Sequence, residues 1–253
     1  QIEQDFDVII SCGRKSIIPS IFLKKNSKKK IINIHIQNPK ISLKHFDFVV
    51  CPEHDNLEGP NVLRTKGAIH YLTLEEINNS KDYLLNKLER DKDVITLILG
   101  GPNKYYNYSD ENMISIFSRI NRMLKEHNLQ LVVIPSNRTP KKTIELSKEY
   151  FTDNRTVIDV VDKSAYLSSL AISKYLVVTC DSTSMISEAA LTGKPVYVAM
   201  IPALRNDKRF QRFRSLFEKL NIIKILENKL ETWNYEKLNE ADRIALEIKR
   251  KIN

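Results

Sequence analysis

The sequence predicts an α/β protein with doubly wound parallel sheets, and three observations support that fold class. Short apolar runs rich in β-branched residues recur along the chain. The runs are continuous rather than alternating in polarity, which is typical of strands buried on both faces of a parallel sheet. The segments between them, for example residues 110–127 and 142–151, have helical periodicity and a polar face. The strand-like runs are FDVIIS, KIINIHIQ, FDFVVCP, DVITLILGG, LQLVVIPS, RTVIDVV, YLVVTCD and KPVYVAM.

A chain of 253 residues is long enough for two domains. The charged segment LERDKD precedes a new strand, turn and helix pattern, so we place the domain boundary near residue 92. We predict a Rossmann-like lobe over residues 1–92, a second over 93–230, and a carboxy-terminal helix over 231–253 that packs back across both lobes. Only three of the strand-like runs fall in the first lobe, so we expect that an opening βα unit is missing from it.

Composition and cysteine usage exclude several classes of protein. Apolar residues make up 42% and charged residues 28% of the chain, which is the profile of a folded globular protein rather than a disordered one. No apolar run is long enough to cross a bilayer and no secretory signal is present, so we expect a cytoplasmic protein. The three cysteines are widely spaced and the histidines are scattered, which predicts reduced thiols, no metal site and no bound cofactor.

The net charge of +9 favours a partner that carries phosphate, such as a nucleotide, a nucleic acid or an anionic membrane surface. The densest basic run is LKKNSKKK at residues 23–30, which we interpret as a solvated loop in preference to a binding patch. Aromatic residues are not interleaved with the basic ones, so nucleic acid is not an expected partner. The expected partners are therefore a nucleotide and an anionic membrane surface.

The turn after the strand VITLIL contains two adjacent glycines. In doubly wound sheets, ligands bind outside the carboxyl ends of the strands, where this turn lies. Gly100 and Gly101 would let the backbone approach a phosphate or diphosphate, with Lys104 as a counter-charge. The alternative, which the motif taken alone favours, is that the two glycines serve ordinary turn geometry.

The segment PSNRTP ends the next predicted strand and contains one cation among hydroxyl groups. A guanidinium such as that of Arg138 suits bidentate contact with a phosphate or carboxylate. Ser136 or Thr139 could instead cap the helix that follows Pro140. The cap and the anion site are compatible, because both use the N–H groups that a helix start leaves without partners.

The most informative segment is CDSTSMISEA, which joins a buried strand to a helix. It places hydrogen-bonding side chains at consecutive positions, and the cap of the helix needs only one of them. Glu188 lies one turn further along, at a distance that suits a carboxylate receiving two ribose hydroxyls. The alternative is a capping box in which Glu188 supports the helix start, and the spacing does not decide between the two. The consecutive residues are Asp181, Ser182, Thr183 and Ser184.

Two turns of the first lobe also face the predicted cleft. The segment CGRKS places Gly13 and Arg14 there, and the segment PEHDN adds a histidine between two carboxylates. Such an imidazole is a candidate general base, because a neighbouring carboxylate raises its basicity toward the working pH. The alternative is that these are ordinary polar turn residues. The candidate catalytic residues are Glu53, His54 and Asp55.

These turns together resemble the mitochondrial-fission "elongated mitochondria" family, which has many alphaproteobacterial members. The resemblance covers residues 8–215 in the expected order. The chain has SNRT where the family more often has two adjacent arginines, which removes one cation. The matching segments are SCGRKSIIPSI, IHIQNPK, FDFVVCPEHD, NVLRTKGAIH, LILGGPNKYY, VIPSNRTP, VVTCDSTSMISEAALTGKPVYV and RFQRF.

The second lobe is similar, more distantly, to the donor-binding half of GT-B glycosyltransferases such as the peptidoglycan N-acetylglucosaminyl transferase. This resemblance implies two Rossmann-like lobes of GT-B type. It also implies metal-independent transfer of a sugar from a nucleotide-diphosphate sugar to a lipid or glycolipid acceptor at the cytoplasmic face of the inner membrane. By the same resemblance Gly100 and Gly101 lie at the diphosphate, the residues from Ser182 to Met185 line the phosphate and sugar, Glu188 binds the ribose and Arg138 makes a second phosphate contact.

The resemblance also implies an alternative function. Eukaryotic members of the family are thought to act as non-catalytic adaptors that recruit a dynamin-related GTPase to a membrane surface. A protein partner of this kind would need the fold but only the caps of the polar turns. Retention of the additional polar residues in those turns therefore favours the enzyme over the adaptor.

Overall fold

The computed structural model describes residues 6–153 and 155–252 and divides the chain into two compact units. The first unit comprises Gln1–Ile69 and Asn239–Asn253, and the second comprises His70–Leu238. Each unit contains one sheet, and the strands within each sheet pair in parallel. The prediction of an α/β fold with two doubly wound parallel sheets is confirmed.

The elements alternate between strand and helix along most of the chain, as a parallel sheet requires. The strands are β1 Val8–Cys12, β2 Ile32–Ile36, β3 Phe48–Pro52, β4 Val62–Thr65, β5 Asp93–Leu99, β6 Leu129–Pro135, β7 Arg155–Val157, β8 Tyr175–Thr179, β9 Val196–Ala199 and β10 Ile223–Ile225. The helices are α1 Ile17–Asn26, α2 Leu74–Asn79, α3 Asp82–Leu85, α4 Asp110–Glu126, α5 Lys141–Tyr150, α6 Lys163–Ile172, α7 Thr183–Ala190, α8 Lys208–Lys219 and α9 Glu240–Ile252.

The sheet of the second unit has the strand order β10-β9-β8-β5-β6-β7, so β5 lies at its centre between β8 and β6. Ile95, Leu97, Ile98 and Leu99 on β5 are completely buried, because helices cover both faces of this strand. The predicted helices over residues 110–127 and 142–151 are confirmed as α4 and α5. This topology brings the carboxyl ends of β8, β5 and β6 side by side at one edge of the sheet.

The sheet of the first unit has the order β1-β2-β3-β4. The sequence predicts three strands there, but β4 is a fourth, and its four residues are too few for a clear apolar pattern. One face of this sheet is covered by α9, whose Ile244 packs with Ile34, Val50 and Leu63.

The boundary near residue 92 is wrong, since the division lies at Ile69 and residues 70–92 belong to the second unit. The reason is that α2 and α3 pack against α6. Leu84 of α3 is completely buried beside Val94 and Val132 of the second sheet. Its N–H group also donates to Ser168 Oγ at 3.1 Å. The charged segment before β5 is therefore a surface loop inside the second unit.

The carboxy-terminal helix also differs from its predicted limits of 231–253. The helix α9 is formed by Glu240–Ile252 and belongs to the first unit, whereas residues 231–238 belong to the second. Tyr197 O–H donates to the carbonyl of Glu231 at 3.2 Å, and the N–H of Leu238 donates to the carbonyl of Ala190 at 3.3 Å. These bonds attach the segment before α9 to β9 and α7.

We expect Glu240→Ala to lower the free energy of unfolding of the first unit by about 2–4 kcal/mol. The Glu240 side chain is 3% exposed, and it accepts hydrogen bonds from the N–H of Lys66 at 2.7 Å and from Arg243 at 2.8 Å. Its removal takes this acceptor from the half-buried N–H of Lys66 and from the Arg243 guanidinium, at the contact between α9 and the residue that follows β4. Denaturant unfolding and hydrogen exchange of the Lys66 amide measure the effect.

The matched control for this prediction is Glu247→Ala on the same helix. Glu247 is more exposed, and its carboxylate lies 3.4 Å from Arg243 Nη1. We expect a change below about 0.5 kcal/mol, since exposed ion pairs contribute little. Equal effects of the two substitutions would show that the Glu240 contacts do not fasten α9.

Candidate functional site

The polar turns that follow β5, β6 and β8 meet around the buried carboxylate of Asp181. This side chain is inaccessible to solvent, and each of its bonds comes from a different segment of the chain. The N–H of Gly101 donates to Oδ2 at 3.0 Å, and Arg138 Nη2 donates to the same oxygen at 2.9 Å. The hydroxyl of Tyr108 donates to Oδ1 at 2.6 Å. A buried carboxylate needs such donors, because an unpaired charge in the interior is strongly unfavourable.

Tyr108 and Thr179 extend this network below Asp181. Burial and the neighbouring Asp181 carboxylate raise the pKa of Tyr108 well above its ordinary value, so its hydroxyl stays protonated and acts as a donor. The Tyr108 hydroxyl also lies 2.8 Å from Thr179 Oγ1, which accepts the N–H of Gly100 at 2.8 Å. The sequence prediction did not include Tyr108 or Thr179, because only the tertiary fold brings them to Asp181.

The turn after β6 is fastened to the turn after β5. Ser136 Oγ and Thr139 Oγ1 donate to the carbonyl of Gly100 at 2.8 Å and 2.6 Å. Arg138 Nη1 donates to the carbonyl of Gly101 at 2.8 Å. The suggestion that Ser136 or Thr139 caps the following helix is wrong, since Pro140 occupies the cap position of α5 and no side chain caps it. The two hydroxyls instead fix the distance between the ends of two strands.

Gly100 and Gly101 are required by contacts within the protein. A Cβ atom on Gly100 would lie 2.3 Å from Asp181 Oδ2, and one on Gly101 would lie 2.2 Å from the carbonyl oxygen of Arg138. Neither space admits a side chain. The groups that approach these glycines closely are thus the Asp181 carboxylate and the Arg138 backbone. Contact of the glycines with a diphosphate stays a prediction.

The turn after β8 leads directly into α7. Ser182 is the N-cap residue, and its Oγ accepts the N–H of Met185 at 3.3 Å. This confirms the predicted cap. Of the remaining residues of the motif, Ser184 is exposed, while Thr183 and Met185 are half-buried. The first turn of α7 therefore presents the hydroxyl of Ser184 to the surface.

Glu188 is half-buried in the second turn of α7, and its Oε2 accepts the hydroxyl of Tyr166 on α6 at 2.5 Å. The capping-box alternative is wrong, because Met185 occupies the position from which a side chain reaches back to the cap. Burial raises the pKa of Glu188, and the hydrogen bond from Tyr166 lowers it in part. Tyr166 lies 22 residues from Glu188, so spacing gave no sign of this pair.

Lys104 is exposed in the turn after β5, and its ammonium group lies 4.9 Å from the centre of the Tyr105 ring. This cation–π contact directs Lys104 along the surface of the turn. The structure does not bring Lys104 into the network around Asp181. Its predicted role as a counter-charge to a diphosphate remains a prediction.

The first-unit candidates form a separate group at the ends of β1 and β3. Gly13 has a φ of +76°, a conformation that favours glycine, and it precedes the exposed Arg14 in the short 3-10 helix Arg14–Ser16. A second 3-10 helix, Glu53–Asp55, follows β3.

The predicted imidazole base does not face an open surface. The side chain of His54 is 1% exposed, and its Nε2 lies 3.9 Å from Asp55 Oδ1. Glu53 and Asp55 are half-buried, so they are more accessible than the histidine between them. The backbone of the 3-10 helix turns the central side chain inward and its neighbours outward. A catalytic role for any of the three stays a prediction.

Two features are absent from the described residues, 6–153 and 155–252. Within these ranges no three side chains of His, Cys, Asp or Glu converge on a point where a metal ion could be held. In the same part of the chain no helix has the length and apolar character needed to cross a membrane.

Comparison with known proteins places the chain in a family. The model of the family described as "Mitochondrial fission ELM1" matches residues 3–252. The uncharacterized protein RP120 of Rickettsia prowazekii is 27% identical over 290 residues, with 96% of this chain and 79% of the relative covered. The mitochondrial fission protein ELM1 of Arabidopsis thaliana is 24% identical, with 97% of this chain and 64% of the plant protein covered. The chain thus spans less than two thirds of the plant relative.

Similar solved structures include nucleotide-sugar enzymes. A putative UDP-N-acetylglucosamine 2-epimerase of Listeria monocytogenes has a TM-score of 0.58 at 15% identity, with 95% of this chain and 66% of the epimerase covered. The Neisseria meningitidis UDP-GlcNAc 2-epimerase bound to UDP-GlcNAc has a TM-score of 0.54 at 14% identity, covering 97% and 76%. A Rickettsia africae glycosyltransferase has a TM-score of 0.51 at 13% identity, with 97% of this chain and 76% of the glycosyltransferase covered. These likenesses establish a GT-B-like fold.

We expect Gly100→Ala to destabilise the second unit by about 1–3 kcal/mol, because its methyl group would overlap the Asp181 carboxylate. In an Asp181→Ala background the same substitution should have almost no effect, since the overlapping atoms are gone. Denaturant unfolding of the two single variants and the double variant measures this coupling.

Gly101→Ala is the matched control for that cycle. Its overlap is with the backbone carbonyl of Arg138, at 2.2 Å, which Asp181→Ala does not remove. The substitution should therefore remain destabilising in both backgrounds. If Gly100→Ala is equally destabilising with and without the Asp181 carboxylate, the reason given for glycine at position 100 is incorrect.

Tyr166→Phe should raise the pKa of Glu188 further, because it removes the hydrogen bond that favours the carboxylate form. A carboxyl whose pKa is raised on folding stabilises the fold at low pH, and this contribution is lost as the pH rises through the folded-state pKa. In the Tyr166→Phe variant this stabilisation at low pH is larger, and it is lost at a higher pH. Carbon-13 NMR titration of the Glu188 carboxyl measures the change.

Tyr175→Phe is the control for the titration. The Tyr175 hydroxyl lies 3.1 Å from Thr232 Oγ1 and does not contact Glu188. The titration of Glu188 should be the same in this variant as in the unchanged protein. A pKa of Glu188 that Tyr166→Phe leaves constant would show that the hydrogen bond is not formed in solution.

Proposed function

The chain belongs to the mitochondrial fission ELM1 family, and we propose that it binds a nucleotide-diphosphate sugar at the carboxyl edge of the six-stranded sheet. It would transfer the sugar to a membrane-associated lipid or glycolipid acceptor. The observation that carries this proposal is the position of Arg138. Asp181 and the carbonyl of Gly101 fix its guanidinium, yet 44% of the side-chain surface is exposed beside the start of α7. A fixed cation at a helix N-terminus suits a diphosphate.

The remaining contacts of the donor would come from α7. Ser182 is buried as the N-cap of α7, so the hydroxyls that would face the phosphate and sugar are those of Thr183 and Ser184. Glu188 uses Oε2 for Tyr166, and Oε1 would receive the ribose hydroxyls. The presence of UDP-GlcNAc in the Neisseria epimerase, which shares the fold, supports a nucleotide sugar as the ligand class.

In the proposed reaction, an acceptor hydroxyl forms a bond to the anomeric carbon while the bond from that carbon to the diphosphate breaks. The hydroxyl proton would pass to a general base; of the three predicted catalytic residues, the half-buried Glu53 and Asp55 are more accessible than the buried His54. The negative charge that develops on the leaving diphosphate would be stabilised by Arg138 and by the N-terminus of α7. Electrostatic stabilisation of this kind requires that the donors be held in place before the reaction, and Asp181 does this for Arg138.

A second candidate function is a non-catalytic adaptor that recruits a dynamin-related GTPase or another protein partner to a membrane. One observation favours it. The N–H of Gly101 donates to the carboxylate of Asp181, and the hydroxyls of Ser136 and Thr139 donate to the carbonyl of Gly100, so these groups are paired within the protein, as in a purely structural junction. The exposed part of Arg138 and the free surface of Ser184 favour the donor site, because a junction needs neither.

We expect the protein to bind UDP, GDP, ADP or CMP, and we expect Arg138→Ala to weaken that binding roughly tenfold or more, a loss of about 1.4 kcal/mol. Glu188→Ala should weaken binding of the nucleotide but leave binding of inorganic diphosphate unchanged, because only the ribose contact is lost. Isothermal titration calorimetry measures both effects.

Lys174→Ala is the matched control for Arg138→Ala. The Lys174 side chain is 46% exposed and is paired with a carboxylate, that of Asp93 at 2.6 Å, but it lies before β8 at the opposite edge of the same sheet. This variant should bind nucleotide normally. If no nucleotide binds the unchanged protein, the donor site is refuted. Capture of a GTPase partner that nucleotides do not affect would then support the adaptor.

A further inference from the structure

The outer face of α1 presents two large apolar side chains to solvent. Ile18 is 69% exposed and Phe22 is 59% exposed. They are four residues apart, so they lie one above the other on the same face of the helix. The inner face is formed by Ile17 and Ile21, which pack in the cluster that contains Phe46. The exposed pair is therefore not needed to attach α1 to its sheet.

This apolar pair lies within a strongly basic segment. Residues 14–30 contain seven basic side chains and no acidic one. Lys15 precedes Ile18 by three residues, and Lys25 follows Phe22 by three, so lysines flank the apolar pair along the helix. Lys24 is paired with Asp47 at 2.6 Å. The basic residues are Arg14, Lys15, Lys24, Lys25, Lys28, Lys29 and Lys30.

We propose that the outer face of α1, with Ile18, Phe22 and Lys25, forms a docking surface for an anionic membrane together with the flanking Lys15 and the lysines at 28–30. Ile18 and Phe22 would enter the boundary between headgroups and acyl chains, while the lysines contact lipid phosphates. This combination is complementary to a negatively charged apolar interface. A solvated loop explains the lysines but not the exposed isoleucine and phenylalanine beside them.

The proposal deepens the proposed function, from which it takes a membrane-associated acceptor. It names the part of the chain that meets the membrane, and it does not depend on catalysis. The residues concerned belong to the first unit, whereas Arg138 and α7 belong to the second. Membrane binding and nucleotide binding can therefore be removed separately.

The test is co-sedimentation of the full chain with lipid vesicles. We expect binding to phosphatidylcholine vesicles that contain about one third phosphatidylglycerol, no binding to pure phosphatidylcholine, and weaker binding as salt is added. The double variant Ile18→Ser with Phe22→Ser should lower the affinity for vesicles roughly tenfold or more, because it removes the apolar area that would be buried in the membrane. The triple variant Lys25→Glu, Lys28→Glu and Lys30→Glu should lower it at least as much.

Each variant has a matched control elsewhere on the surface. Val160 and Val161 are 70% and 53% exposed, so their double substitution by serine removes a similar exposed apolar pair. Lys125, Lys141 and Lys219 are exposed lysines, and their substitution by glutamate makes the same change in net charge. Both controls should bind anionic vesicles as the unchanged protein does. Circular dichroism melting curves confirm that all four variants are folded.

Three results would overturn the proposal. One is equal binding to neutral and anionic vesicles, and another is an α1 variant that binds as its control does. In the third, double-stranded DNA or RNA displaces the vesicles, and both serine variants bind that nucleic acid normally. The apolar pair would then not contribute, and α1 would be a nucleic-acid surface. Calorimetry with UDP, GDP, ADP and CMP on the same preparations separates the two proposals. Vesicle binding without nucleotide binding keeps the docking surface and refutes the transferase, and the converse refutes the docking surface alone.

Discussion

The buried carboxylate of Asp181 is the constraint on which the functional edge of the second unit depends. A charge in the interior is tolerated only when donors surround it, and here the donors come from Gly101, Tyr108 and Arg138. Satisfying one side chain thus positions the turns after three neighbouring strands. The Asp181 carboxylate explains why position 100 has no side chain, and the backbone carbonyl of Arg138 explains the same at position 101. Geometry at this edge follows from electrostatics, and local turn preference is secondary.

This network has two consequences that oppose each other. It uses backbone and hydroxyl donors that a ligand would otherwise find at the strand ends, so the glycine turn is a structural junction. It also immobilises a guanidinium at the surface, beside the capped start of α7, without covering it. A flexible arginine would lose conformational freedom on binding an anion, whereas this one has lost it already. The adaptor hypothesis needs only the structural junction, whereas the enzyme hypothesis also needs the exposed guanidinium.

The sequence predicted those features that depend on local pattern. Continuous apolar runs identified the buried strands, the periodicity of residues 110–127 identified α4, and Ser182 was recognised as a cap. Features that depend on contacts distant in sequence were missed, such as Tyr108 with Asp181 and Tyr166 with Glu188. The edge strands β4 and β10 have four and three residues, too few to establish a period. The burial of His54 is likewise set by tertiary packing.

The return of α9 to the first unit has a consequence for the order of folding. The second unit is continuous in sequence, so it can fold without a segment from outside residues 70–238. The first unit is interrupted by the whole of the second, and its sheet face around Ile34, Val50 and Leu63 stays uncovered until α9 has been made. The amino-terminal unit therefore cannot be completed before the second unit has been made, in contrast to the usual progression from the amino-terminal domain onward. Until α9 covers it, the first sheet exposes an apolar face, which makes a partly folded chain prone to aggregation.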